Sequence, residues 1–207
     1  MSAQPLTEPV MTEQDPIDLL SAIEAASVAP MRPEYVEGTV IVPPQPDFNH
    51  SKGAVRLIVQ FHTAEYELAG TGMGFRAADH HGSTTALIIP GFYVLNREPS
   101  DLDVSYLKTH KGWYPINMIA LVGEVTSTNH AMDTGAKLAA YAAAAVPHYV
   151  LINRNAKTAH CYADPTRPTD GDPAKAYYDT ESKVGLGEPL PLPAPYPILD
   201  TTVFLES

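Results

Sequence analysis

The run Ile116-Asn117-Met118-Ile119-Ala120-Leu121-Val122-Gly123-Glu124-Val125 carries one carboxylate near the end of an almost unbroken apolar stretch. An ionised carboxylate buried there is costly unless a cation or hydrogen bonds offset it, so Glu124 needs a partner. Asp133, Lys137 and Tyr141 follow at i, i+4 and i+8, on one face of a helix that would begin where the strand ends. Two carboxylates and an ammonium brought together suit phosphodiester hydrolysis. A hard divalent cation held by one or two carboxylates activates water, and the ammonium offsets charge building on the phosphoryl oxygens. The same spacing also describes a buried Glu124 to Lys137 ion pair that joins strand to helix and does no chemistry.

Two other reactive side chains have a simpler reading. Cys161 alternates with Tyr162 on an expected strand, which makes it a buried thiol rather than a nucleophile. Ser127 lacks the strand-turn-helix glycine pattern of a nucleophile elbow, which argues against a serine hydrolase.

The elements that would position Glu124 and Lys137 can be traced along the chain. Asp15 caps and Pro16 opens a short helix whose apolar face is Ile17, Leu20 and Ile23, stopped by Pro30. Tyr35-Val36-Glu37-Gly38-Thr39-Val40-Ile41-Val42 has the β-branched content of a hairpin with Glu-Gly at its centre. From Asp47, Val55, Ile58, Val59 and His62, flanked by Leu57 and Phe61, predict a core-facing helix of about four turns. Residues 73–76 and 85–96 read as two strands around the turn Asp79-His80-His81-Gly82-Ser83. The run ending at Glu124 reads as a central strand covered on both faces. Thr126 to Asn129 offer N-caps for an alanine-rich helix over residues 130–145, ended by Pro147. A hairpin over residues 148–153 and 158–162, a short strand at 176–179 and a proline-punctuated tail complete the chain. Strand, helix and strand in this order indicate an α/β sheet with a crossover.

Composition bounds the partners. The 207 residues are 44% hydrophobic, enough for one core, and residues 1–14 read as a disordered leader before a single domain over 15–207. With one cysteine there is no internal disulfide and no multi-thiolate zinc site. No signal-like or membrane-length apolar run is present, so the expected setting is cytoplasmic, with no membrane partner. A net charge of −11 argues against a strong grip on nucleic acid, since phosphates are normally neutralised by Lys and Arg.

Tyr35-Val36-Glu37-Gly38, Pro44 with His50 opening a helix, Ile89-Pro90-Gly91-Phe92, Val122-Gly123-Glu124-Val125-Thr126-Ser127, Asp133 and Lys137 with Tyr141, and Val146-Pro147-His148-Tyr149 form an ordered set. Together it resembles the Uma family of restriction-endonuclease-like proteins, a branch of the PD-(D/E)XK nucleases. The resemblance implies a restriction-endonuclease-like mixed β-sheet flanked by helices. It also implies a Mg2+- or Mn2+-dependent DNA endonuclease with Glu37 and Glu124 as metal ligands and Lys137 as the catalytic lysine. DNA would be held weakly and salt-sensitively, by a homodimer, and His50 would contact a phosphate.

Family members carry an aspartate after the proline where this chain has Pro90-Gly91, so Gly91 is a degenerate metal-ligand position. Asp79 lies at the wrong end of the intervening strand to replace it. Asp101 and Asp103, a few residues beyond the strand in a loop able to bend back, are secondary candidates, with a surface turn as the simpler role. Weak metal affinity and low turnover follow, and the alternative is an inert module that keeps the nuclease fold for binding or assembly.

Overall fold

The computed structural model describes residues 14–126, 130–169 and 172–205. The expected leader therefore lies outside the described residues except for Gln14, as do Ser127, Thr128 and Asn129 among the expected N-caps. The elements are α1 (Pro16–Ala26), β1 (Glu34–Val36), β2 (Thr39–Ile41), α2 (Phe48–Thr63), β3 (Ala69–Gly70), β4 (Gly74–Ala78), β5 (Thr84–Ile88), β6 (Phe92–Leu95), α3 (Asp101–Thr109), β7 (Trp113–Pro115), β8 (Ile119–Val125), α4 (His130–Thr134), α5 (Ala136–Ala143), β9 (His148–Asn153), β10 (Thr158–Thr166), β11 (Tyr177–Gly185), β12 (Pro189–Leu190) and β13 (Leu199–Asp200).

Two sheets carry the fold. One runs β2-β1-β5-β4-β7, with β4 and β7 parallel; the other runs β11-β10-β9-β8-β6-β3, with β8 and β9 parallel and the remaining pairs antiparallel. The parallel β8–β9 pair needs a crossover, and α4 and α5 supply it. One cluster lies between the two sheets and joins Phe75 and Ile88 to Val122, Tyr141, Tyr149 and Leu151. A second packs α2 and the tail against the other face of the six-stranded sheet through Leu57, Phe61, Leu121 and Ile152. Ile17 and Leu20 of α1 cover Leu87 and Trp113 on the outside of the five-stranded sheet. Side chains alternate along β8, so Val122 and Glu124 face α5 while Leu121 and Val125 face α2. That two-sided burial is why the sequence of β8 shows no alternation of its own.

Three expectations are corrected. Val55 and Val59, read as the core face of α2, are exposed, and His62 is exposed too; the buried face is Ala54, Leu57 and Phe61. Several apolar residues crowd this helix, so a face shifted by about 100° per residue satisfies the same spacing, and the packing of Gly53 against the Phe204 ring decides between them. Residues 85–96 are two strands in different sheets, because Pro90 cannot donate to a ladder and the chain changes sheet at Ile89-Pro90-Gly91. The helix after β8 breaks at Gly135 into α4 and α5.

Gly123 is required by a close approach. A Cβ there would lie 2.0 Å from the Phe92 ring, which crosses β8 at this point. Phe92 thereby packs the β6 strand onto β8 and fixes where the Pro90-Gly91 turn arrives. No helix among the described residues is long and apolar enough to cross a membrane.

Candidate active site

Glu124, on β8, lies beneath α5 and meets two of its side chains. Its Oε1 accepts from Lys137 Nζ and from the Tyr141 hydroxyl, each at 3.1 Å. Its Oε2 accepts from the Gly91 amide at 3.2 Å. Glu34, on β1, comes from the other sheet: its Oε2 stands 2.9 Å from Lys137 Nζ, and its Oε1 accepts from Ile89 N at 2.6 Å. Asp133 Oδ1 is 3.9 Å from the same ammonium. Lys137 thus sits among three carboxylates, all buried.

The electrostatics follow from that crowding. Burial opposes the charge on Lys137, but Glu124, Glu34 and Asp133 outweigh it and raise its pKa above the ordinary lysine range. Lys137 is therefore an ammonium, a donor and not a base. Burial, together with repulsion from Glu124, pushes Asp133 up to about 7. Burial raises Glu34 as well, with Glu124 adding to it and Lys137 opposing it. Burial in an apolar surround holds the Tyr141 hydroxyl protonated.

The ion pairs are not sealed in the core. Glu34, Gly91, Glu124, Asp133 and Lys137 line a cavity of about 590 Å³ whose walls include His50. Burial lowers the pKa of His50, and its Nδ1 has no hydrogen-bond partner among the described residues. With all three ionised, the carboxylates against one ammonium leave an excess of two negative charges, the charge of one divalent cation. Oxygen donors are what Mg2+ and Mn2+ prefer, and Mg2+ is commonly bound through one or two carboxylates plus water. The set fits such an ion in charge and donor type, although no group of three or more His, Cys, Asp or Glu among the described residues is closed around one point.

The residues singled out in the sequence fall in different places. Glu124, Gly91, Asp133, Lys137 and His50 line one cavity, and Tyr141 braces Glu124 from behind. Glu37 does not join them. It occupies the β1–β2 turn with φ of 49°, followed by Gly38 at 79°, the positive pair of a type I′ hairpin, and its side chain is exposed. The carboxylate that reaches Lys137 from this hairpin is Glu34. Its signal was the alternation that places residue 34 on the same buried face as Val36.

Asp101 and Asp103 do not bend back. Both lie in the first turn of α3, where Asp103 forms a capping box with Ser100 and an ion pair with Arg97, which hold its carboxyl well below the usual range. Asp79 closes its own turn by accepting from the amides of His81 and Ser83. Cys161 is buried and belongs to the α2-side core, and burial pushes its thiol up to about 11.

The mixed α/β fold is one found among known structures. The fold matches the crystal structure of a putative nuclease belonging to DUF820 from Anabaena variabilis ATCC 29413, with TM-score 0.55 and 14% identity over 89% of this chain and 96% of that one. The sequence matches the family Uma2, described as "Putative restriction endonuclease", over residues 23–188, and the chain belongs to that family. No curated protein matches the chain.

Proposed function

We propose that the protein is a metal-dependent DNA endonuclease of low turnover, acting at the pocket lined by Glu34, Glu124, Asp133 and Lys137. The observation that carries this reading is that Lys137, a charged donor, and the three carboxylates around it line an open cavity although they pair with one another. Glu124 and Asp133, which line the pocket on either side of Lys137, would hold Mg2+ or Mn2+. Such an ion, when bound, would activate water and offset charge on the phosphoryl group.

The chain's own residues do the rest. Lys137 donates to the water or to a phosphoryl oxygen, and it stays charged because the carboxylates hold its proton. Tyr141 and the Gly91 amide fix the two oxygens of Glu124. Hydrolysis forms a bond from the water oxygen to phosphorus and breaks one phosphorus–oxygen ester bond. The departing oxygen takes up a proton.

Gly91 offers an amide where the family resemblance implies a carboxylate, which favours weak metal binding. DNA binding is expected to be weak and salt-sensitive in so acidic a chain, and a homodimer suits cleavage of two strands. The Gly91 to Glu124 hydrogen bond also supports a second reading, an inert module that keeps the fold, because it satisfies an oxygen that a metal would otherwise take.

Nicking of supercoiled plasmid over a Mg2+ and Mn2+ titration separates the two. Nicking that vanishes in a folded Glu124→Ala variant supports the endonuclease; no nicking at any metal level supports the inert module.

A further inference from the structure

A sheet edge is a row of backbone donors and acceptors without a neighbour, and folds commonly blunt it by keeping the edge strand short. Three edges of the two large sheets are short: β2 and β7 have three residues each and β3 has two. The fourth edge, β11, has nine. Its inner side pairs with β10. In an antiparallel ladder, groups that do not bond to the neighbour on one side point to the other side, where a further strand can take them. Among the described residues, 177–184 make no backbone–backbone hydrogen bond outside the β10 ladder.

The regular part of this edge is residues 180–185, which pair in unbroken register with residues 158–163 before the ladder meets Asp164, at φ of 60°. Glu181 and Lys183 are both exposed on it. The Glu181 carboxylate is oriented by His160, whose Nδ1 lies 2.6 Å from Oε1. Lys183 has no ion-pair partner among the described residues. A lysine on an edge strand ordinarily discourages a neighbouring strand. Glu181, two residues away and on the same face, reverses that effect for one neighbour, a second β11 running antiparallel.

A two-fold axis normal to the sheet sets residues of like face opposite each other, so each register is centred on one residue. Centred on Ser182, Glu181 of each copy stands opposite Lys183 of the other, Thr180 opposite Val184, and Asp179 opposite Gly185. Centring on Thr180 sets Asp179 against Glu181 twice, and centring on Glu181 or Lys183 sets like charges together on the axis. Like charges directly opposite are destabilising and opposite ones stabilising, so among registers centred on residues 180–183 the edge complements itself in one. We infer that two copies of this chain pair through antiparallel β11 strands centred on Ser182, joining their six-stranded sheets into one. The inference does not rest on the nuclease reading.

The test is sedimentation velocity of the full chain over about 1–100 μM, without metal or DNA, so that its outcome is separate from the chemistry of the pocket. The parent chain sediments as a dimer. Lys183→Glu sets two Glu–Glu pairs across the axis and Glu181→Lys sets two Lys–Lys pairs, and each raises the dimer Kd by about tenfold or more. An equimolar mixture of the two variants recovers the dimer, because every pair across the axis is then Glu against Lys. That recovery also shows that both variants are folded. A monomeric parent overturns the inference and leaves the edge to another protein's strand or to none. A dimer that withstands both single changes, or variants whose mixture fails to pair, overturns it as well.

Discussion

The Gly91 amide donates to Oε2 of Glu124 across 3.2 Å, fastening the turn between the two sheets to the end of β8. A Cβ at residue 91 would lie 3.2 Å from the Gly123 carbonyl and 3.6 Å from Glu124 Cα, so any side chain there emerges beside Glu124. Around this junction Glu34 arrives from one sheet, Glu124 from the other, and Lys137 from the crossover helix. Both carboxylates favour the charge on Lys137, and Lys137 favours the charge on Glu34 against burial and Glu124.

Lys137→Met tests that dependence. The substitution keeps the apolar stem and leaves Glu34 and Glu124 buried beside each other without a cation. Removing one partner of a buried pair costs about 3–5 kcal/mol, and urea denaturation at neutral pH should show a loss of this size. A loss below about 0.5 kcal/mol, the range of ordinary surface changes, would mean that the ammonium is not what stabilises these carboxylates.

Glu34 and Glu37 should part sharply. Glu34→Ala takes the acceptor from Ile89 N and one carboxylate from Lys137, costing about 1–3 kcal/mol for the orphaned amide and reducing any metal-dependent nicking. Glu37→Gln, on an exposed turn, should leave both stability and nicking unchanged within about 0.5 kcal/mol. The reverse ranking in parallel denaturation and plasmid assays would restore Glu37 to the site.

Asp133 gives the fold an alkaline sensitivity. Its pKa is pushed up to about 7 in the folded state, from the ordinary value of 3.8, by burial and then by Glu124. The folded state therefore keeps a proton that the unfolded chain releases first, and stability falls as pH rises from about 4 to 7. In chelator-containing buffer, Asp133→Asn should flatten the fall in urea midpoint over that window. A slope unchanged by the substitution would place the titration elsewhere.

His50 acts in the opposite sense. Burial lowers its pKa below 6.5, so the unfolded chain takes up a proton that the folded pocket resists. Its contribution is complete above 6.5 and is lost as pH falls through that value toward the lowered folded pKa. His50→Gln should raise stability at acidic pH relative to the parent. Histidine NMR titration checks the cause directly, and a His50 pKa at or above 6.5 would contradict it.

Much of this architecture was legible because local rules and tertiary packing agreed. Glu124 betrayed itself as a charge in an apolar run, Lys137 by its helical spacing from Asp133, and the hairpin by Glu37-Gly38. The same hairpin hid its functional acid. A Glu-Gly pair is conspicuous because turns need positive φ, yet the turn that makes Glu37 visible also points it away, while Glu34 shows only through its two-residue spacing from Val36 in a three-residue strand. The face of α2 was misread since apolar residues occur on both sides of that helix, one covering the core and the other exposed. Asp101 and Asp103 looked like loop acids because a capping box and a turn share Ser and Asp.

The central claim is that residue 91 and Glu124 share one site from which a carboxylate is missing. Gly91→Asp restores it, and calorimetric titration of the variant with Mn2+ alongside the plasmid assay measures the consequence. Affinity and nicking rate should each rise by about tenfold or more over the parent, as a further carboxylate ligand beside Glu124 and Asp133 supplies charge and coordination that the amide cannot. A correctly folded variant with neither change, Glu124 being intact, would contradict the placement of this site.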